Sequence, residues 1–251
     1  DLTTLLCGRT FGGSGADAAY SVEVAPDNSF GAFGALQILV GGGTLSSNLP
    51  LPGGSIQPTP LGGVEGWVAQ MNAGPDELTA QFGTYHGLAD YDQVYFVQRD
   101  GQGRPYAYGQ ARGGMPIQGD VYAEPSSGQY ITCFLPDLSD IEWQTTLGSG
   151  DSQVDLSPTA FLVSDCEQVY ISGWGGETNA NGGTADVSGS STFELTTAGG
   201  PFQASTDGSD FYLAVLAPDA TDLVYATFFG GPFSTEHVDG GSSRFDQNGT
   251  V

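Results

Sequence analysis

Residues 211–231 read "FYLAVLAPDATDLVYATFFGG", and their order decides the fold. An apolar run, Phe211 to Leu216, gives way to a Pro-Asp turn and then to a second apolar run, Leu223 to Phe229, that closes on Gly230-Gly231. Both runs are apolar at odd and even positions, the pattern of strands whose sheet is covered on both faces. The same order returns from Trp67 in "WVAQMNAGPDELTAQFGTYHG" and from Tyr130 in "YITCFLPDLSDIEWQTTLGSG". Third and fourth strands follow in "DQVYFVQRDGQGRPYAYG" from Asp92 and "PTAFLVSDCEQVYISGWG" from Pro158, and "HVDGGSSRFDQNG" opens a further third strand at His237. The chain begins inside another copy: with Gly12 set on Gly230, Asp1, Leu5 and Phe11 fall on Asp219, Leu223 and Phe229.

With Gly13, Gly87, Ser149 and Gly231 taken as one position, the spacings are 74, 62 and 82 residues. The slack lies in Gly-, Ser-, Thr- and Pro-rich linkers, Gly41 to Gly66 and Gly175 to Ser209. These carry their own echo, "LPLPGGSIQPTP" against "LTTAGGPFQAST", which sets Ile56-Gln57 on Phe202-Gln203, with Val121-Tyr122 a weaker third instance. A fixed-order cassette of this length marks a solenoid or propeller, because one unit cannot bury its faces until neighbours stack on it. Asp27-Asn28, Asp100-Gly101, Asp165-Cys166 and Asn248-Gly249 are read as the tight turns joining third and fourth strands, since such residues tolerate positive φ. Glycine at 40 of 251 positions works against long helices. The expected fold is an all-β propeller segment of about four consecutive four-stranded blades. It spans 1–251 as one segment, with units near 1–40, 49–111, 115–175 and 195–251, the first and last incomplete. That phase implies a fragment of a longer polypeptide.

Composition excludes whole classes of partner. There are 29 acidic residues, five Arg and no Lys, for a formal charge of −24. Phosphate-rich polymers and anionic membranes would be repelled, so nucleic-acid binding is not expected, and because the longest apolar runs are of strand length and broken by polar residues, neither is membrane insertion. The balance fits secretion into salty surroundings or the collection of divalent cations. Cys7, Cys133 and Cys166 cannot all pair within the chain, so disulfides are not the main stabiliser. Cys7 and Cys133 read as buried strand residues and Cys166 as an accessible turn residue.

Candidate chemistry is sparse. His86 occupies a glycine position of the aromatic-Gly-Gly element, whereas His237 lies in the loop after it, so they form no repeated ligand set. Glu236, His237 and Asp239 could make an acid/base or metal cluster, but a polar turn explains them better because no nucleophile is placed beside them. Asp90 with Asp92, and Asp207 with Asp210, have the short spacing that calcium ligation uses, yet Asp also dominates ordinary turns. Trp67 and Trp143 lie in strands and should pack between blades, leaving Trp174 in "SGWGGE" as the better candidate for exposure among the three. No G-x-S-x-G elbow and no phosphate-binding loop occur. No catalytic, cofactor or metal residues are assigned from the sequence; structural Ca²⁺ is the one ion considered.

The run from Leu49 to Gly109, "LPLPGGSIQPTPLGGVEGWVAQM" onward, resembles the SBBP-type β-propeller repeat of secreted bacterial proteins. In that repeat a Pro-Thr lead-in precedes strands like "GFVAKL", "YSTYLGG" and "GNVYVTG". Here "DLVYATFFGG" and Val169 to Gly173, "VYISG", are the closest matches. Glu236 to Asp246, "EHVDGGSSRFD", is similar to segments of large Bacteroidota surface proteins associated with gliding motility or type IX secretion. No sorting domain lies in these residues. The resemblance implies a non-enzymatic scaffold or recognition module of a large secreted or cell-surface protein, serving adhesion, surface motility or filament structure. Its partners would be other domains of the same polypeptide, surface glycans or neighbouring subunits. The alternatives are an extracellular propeller enzyme acting on polysaccharide, a lyase or glycosidase, or a self-assembling fibre subunit.

Overall fold

The structure, a computed structural model, describes residues 8–24, 30–31, 35–52, 55–73, 78–175, 191–193, 195–234 and 236. It is all-β. The strands are β1 (Asp17–Val24), β2 (Phe30–Gly31), β3 (Ala35–Thr44), β4 (Glu65–Ala73), β5 (Leu78–His86), β6 (Asp92–Arg99), β7 (Pro105–Ala111), β8 (Gln129–Phe134), β9 (Ile141–Leu147), β10 (Ser157–Val163), β11 (Val169–Trp174), β12 (Phe211–Leu216) and β13 (Leu223–Phe229). A single 3₁₀ turn, Pro218–Ala220, is the one helical element among the described residues.

The strands form three antiparallel sheets in sequential order: β1-β3-β4-β5, with β2 beside β3, then β6-β7-β8-β9, then β10-β11-β12-β13. The sheets cut the repeat at a different phase from the one its linkers suggest. Each begins with the third strand of one cassette and ends with the second strand of the next. The expected end units 1–40 and 195–251 are thus divided: β1 and β2 belong to the first sheet and β12 and β13 close the third, while residues 1–7 and 237–251 lie outside the described residues.

The sheets pack face to face. Leu39 and Val68 of the first sheet meet Val94, Val97, Ala107, Tyr130 and Phe134 of the second. Tyr106, Tyr108, Ile131 and Cys133 of the second meet Phe161, Ile171, Tyr212 and Phe228 of the third. Because neighbouring side chains in a strand point to opposite faces, β7 and β8 feed both layers, and every residue in them is buried. The expectation of double coverage holds for this central sheet. It fails for β12, where Tyr212, Ala214 and Leu216 are buried but Phe211, Leu213 and Val215 are only half-buried, since no described sheet lies beyond them. Trp67 and Trp143 are buried as expected. Trp174 is also buried, at 8% exposure, because it sits inside a sheet between Ser157 and Phe211 and not in the following glycine-rich loop. Cys133 is a buried free thiol and Cys166 an exposed one; Cys7 lies outside the described residues.

The first strands of the three sheets adjoin, with β6 against both β1 and β10. Each carries a β-bulge at the same place, at Tyr20, Tyr95 and Thr159. The bulge re-aims those side chains. Tyr20 and Tyr95 stack at 5.3 Å with planes 10° apart, and Thr159 hydrogen-bonds Ser172 at 2.6 Å. Opposite the first bulge, a Cβ on Gly42 would overlap the Ala18 carbonyl, so the close approach of β1 and β3 requires glycine there.

The last strand of each sheet is covered by the chain's own linker. Tyr85 N–H donates to Gln57 O and Phe228 N–H to Gln203 O, both at 3.1 Å, while Glu124 N–H donates to Thr146 O at 2.8 Å. Thr84, Thr145 and Thr227 donate their hydroxyls to Gln57, Tyr122 and Gln203 carbonyls. The Gln57, Tyr122 and Gln203 equivalence read from the sequence is therefore physical. These linkers cap strand edges that would otherwise stay open to another chain.

Candidate functional site

Polar side chains concentrate at the ends of the strands and between the sheets. His86 ends β5 and is buried, its ring packed edge-on against Tyr130 and Phe134 at 5.2 and 5.1 Å. Its Nε2 lies 2.9 Å from Thr132 Oγ1, which donates to Gln144 Oε1 at 2.7 Å, and Gln144 Nε2 donates to Pro116 O at 2.6 Å. Since the Thr132 hydroxyl spends its proton on Gln144, it accepts from His86, so His86 carries its proton on Nε2. Burial holds His86 down to about 4, with the Gln144 bond opposing, so the ring is neutral across the physiological range. It is a link between the first two sheets.

The turns carry a repeated carboxylate. Gly13 N–H donates to Asp17 at 2.7 Å, Leu88 N–H to Asp92 at 2.6 Å, Ser149 N–H to Asp155 at 2.8 Å and Gly231 N–H to Glu236 at 3.0 Å. This moves the second member of the register from Gly87 to Leu88. One residue earlier, Gly87 N–H donates to Gln57 Oε1, Gly148 N–H to Glu124 Oε2 and Gly230 N–H to Gln203 Oε1. Burial pushes Asp92 up to about 7 despite the Leu88 bond, and the charges of Glu65 and Asp90 add to this. Burial likewise raises Asp155 to about 6.

The spacing-based calcium pairs separate. Asp92 is buried while Asp90 is exposed in the preceding bend. Asp207 uses one oxygen on its own turn, accepting from Ser209 N–H at 3.1 Å, and the other on the later turn, accepting from Phe233 N–H at 2.8 Å, whereas Asp210 points inward and accepts from Gln203 Nε2 at 2.9 Å. His237 and Asp239 lie outside the described residues, leaving Glu236 as the member of that cluster with a described place. Among the described residues no group of three or more His, Cys, Asp or Glu side chains could hold a metal ion.

Sequence reasoning missed the arginine clamps. Arg104 reaches Asp100 at 2.5 Å, Asp219 at 3.0 Å, Glu142 at 3.2 Å and Glu167 at 3.3 Å, gathering three turns and the start of β9 across the second and third sheets. Burial works against its charge, but the Asp100 hydrogen bond together with the Coulombic attraction of Tyr106, Cys133 and Asp100 outweighs this and its pKa is raised. Asp100 also caps its own hairpin, accepting from Gln102 and Arg104 N–H at 2.9 Å each, while the positive φ there falls on Gly103. In the next sheet it falls on Glu167, not on Asp165 or Cys166. Arg99 makes the corresponding link between the first two sheets, to Gln70 Oε1 at 3.2 Å and Glu23 at 3.8 Å. The scarcity of cations was the available signal: two of only five arginines sit at sheet junctions.

Comparison of the chain with protein-family models and with curated protein sequences gives no match.

Proposed function

We propose that the chain is a non-enzymatic β-propeller segment serving as an extracellular scaffold or recognition module. The observation that carries this reading is the repeated meander: three sequential four-stranded sheets stack with their first strands adjoining, and equivalent turn carboxylates in every copy serve the backbone. His86, which the sequence pattern singles out, is occupied by a hydrogen bond to Thr132 between two sheets. The SBBP-like cassette and the acidic, lysine-free composition support an extracellular setting within a larger surface protein. Electron microscopy of the purified protein tests the arrangement: wedge-shaped particles with sheets radiating from one axis support it, and a flat or linear stack sinks it. Turnover on a polysaccharide panel, abolished by changing one acidic residue, would replace this reading with an enzymatic one.

Tyr20 favours recognition over passive support. It is 49% exposed on the shared line of first strands, backed by Tyr95, whose hydroxyl lies 3.0 Å from that of Tyr91. A rigid aromatic platform of this kind suits a neutral sugar ring. A glycan array should show binding that Tyr20→Ala removes.

A further inference from the structure

The three junctions that end each sheet share one plan. A glycine (Gly87, Gly148 or Gly230) closes the last strand. Beside it stand the residue that opens or directly precedes the sheet's third long strand (Glu65, Gln129 or Asp210) and the carboxylate that follows the glycine (Asp92, Asp155 or Glu236). At the middle junction the pair is an amide and a carboxylate. Gln129 accepts from Asp155 N–H at 3.3 Å and donates to Leu156 O at 2.9 Å, so one negative charge is present and the amide is satisfied.

At the last junction both members are carboxylates. Asp210 is 1% exposed; its Oδ2 accepts from Gln203, but its buried Oδ1 has no hydrogen-bond partner among the described residues. Glu236 repeats the arrangement: Oε1 accepts from Gly231 N–H at 3.0 Å and Ser234 Oγ at 2.5 Å, while the buried Oε2 has none. The two carboxyl groups flank Gly230, whose Cβ position would overlap Asp210 Oδ1 and lie 3.0 Å from Glu236 Cδ. No arginine pairs with either group among the described residues. Two carboxyl groups flanking one glycine, each with a buried oxygen that lacks a hydrogen-bond partner among the described residues, are unfavourable unless a cation or a proton offsets their charge.

We propose that Asp210 and Glu236 bind a hard divalent cation of the calcium type. Each carboxylate is already fixed by donors on one oxygen, so the other is held ready, and calcium prefers oxygen ligands in flexible number. The surplus of acidic groups concentrates cations near the surface. The first junction differs, because Glu65 and Asp92 are both 0% exposed and Glu65 already accepts from Gln57 and Leu61.

Calorimetric titration of Ca²⁺ into the chelator-treated full chain, with melting curves alongside, decides the matter. The expected result is one saturable site, a melting temperature that climbs with calcium concentration, and at least tenfold weaker binding in both Asp210→Asn and Glu236→Gln, with exposed Asp151→Asn unchanged. Wild-type protein that takes up no Ca²⁺, Mg²⁺ or Mn²⁺ at millimolar concentration overturns the proposal, whether or not either variant folds. Calcium binding left intact by Glu236→Gln also overturns it. Absence of metal binding combined with pH-dependent stability that Asp210→Asn flattens would identify a shared proton instead.

Discussion

At Arg104 one guanidinium meets Asp100, Glu142, Glu167 and Asp219, and Asp100 is itself buried. Arg104→Met leaves that carboxylate without its cation, a loss expected to cost about 3–5 kcal/mol in urea unfolding. Glu142→Gln and Asp219→Asn should each cost less than about 1 kcal/mol, because both side chains are substantially exposed. Equal costs for all three would mean that the clamp is not centred on Asp100. His86 gives a second residue-scale expectation. Its folded pKa lies near 4, below the ordinary 6.5, so the stability it contributes is full above 6.5 and drains away as pH falls toward 4. Nitrogen NMR should show a neutral Nε2–H ring at pH 6. The sequence marked His86 as unusual but not its state, since its partner Thr132 lies 46 residues further on.

Elements were more legible than their grouping. Recurring apolar runs located the strands, and the paired Gln57 and Gln203 were visible as an echo. The phase of the sheets was not. Long linkers look like boundaries between units, yet here they run from the second to the third long strand of one sheet and lie along its outer edge. A repeat fixes its period but not where it is cut, and only the hydrogen bonds that the linkers supply decide this. Gln203→Ala removes the acceptor for Gly230 N–H and the donor to Asp210, at an expected cost of about 1–3 kcal/mol. Hydrogen exchange should find the Tyr85 and Phe228 amides protected, because each donates to a linker carbonyl; fast exchange there would show the covers to be loose.

Over the whole molecule, burial rather than net charge sets the response to pH. Glu23 is raised to about 7 by burial, against the Arg99 contacts, and Asp92 and Asp155 are raised to about 7 and about 6. The folded state keeps these protons where the unfolded chain has released them, so the stability they contribute is complete below about 4 and is lost as pH rises toward 7. His86 opposes them between 6.5 and 4, one group against three. Urea midpoints should therefore fall from pH 5 to pH 7 and level off above pH 8, and Asp92→Asn should reduce the slope. A midpoint that rises over that interval would contradict the buried-carboxyl account. The sequence displayed the 29 acidic residues but not which of them the sheets enclose, because burial depends on the stacking and not on local composition.

The arginine clamps have a consequence for proteolysis. With no lysine in the chain, trypsin is confined to five arginines. Arg104 precedes a proline, and Arg99 is buried where the first two sheets meet. Cutting after Arg99 requires those sheets to come apart, so the appearance of that one fragment is a clock for how often the junction opens.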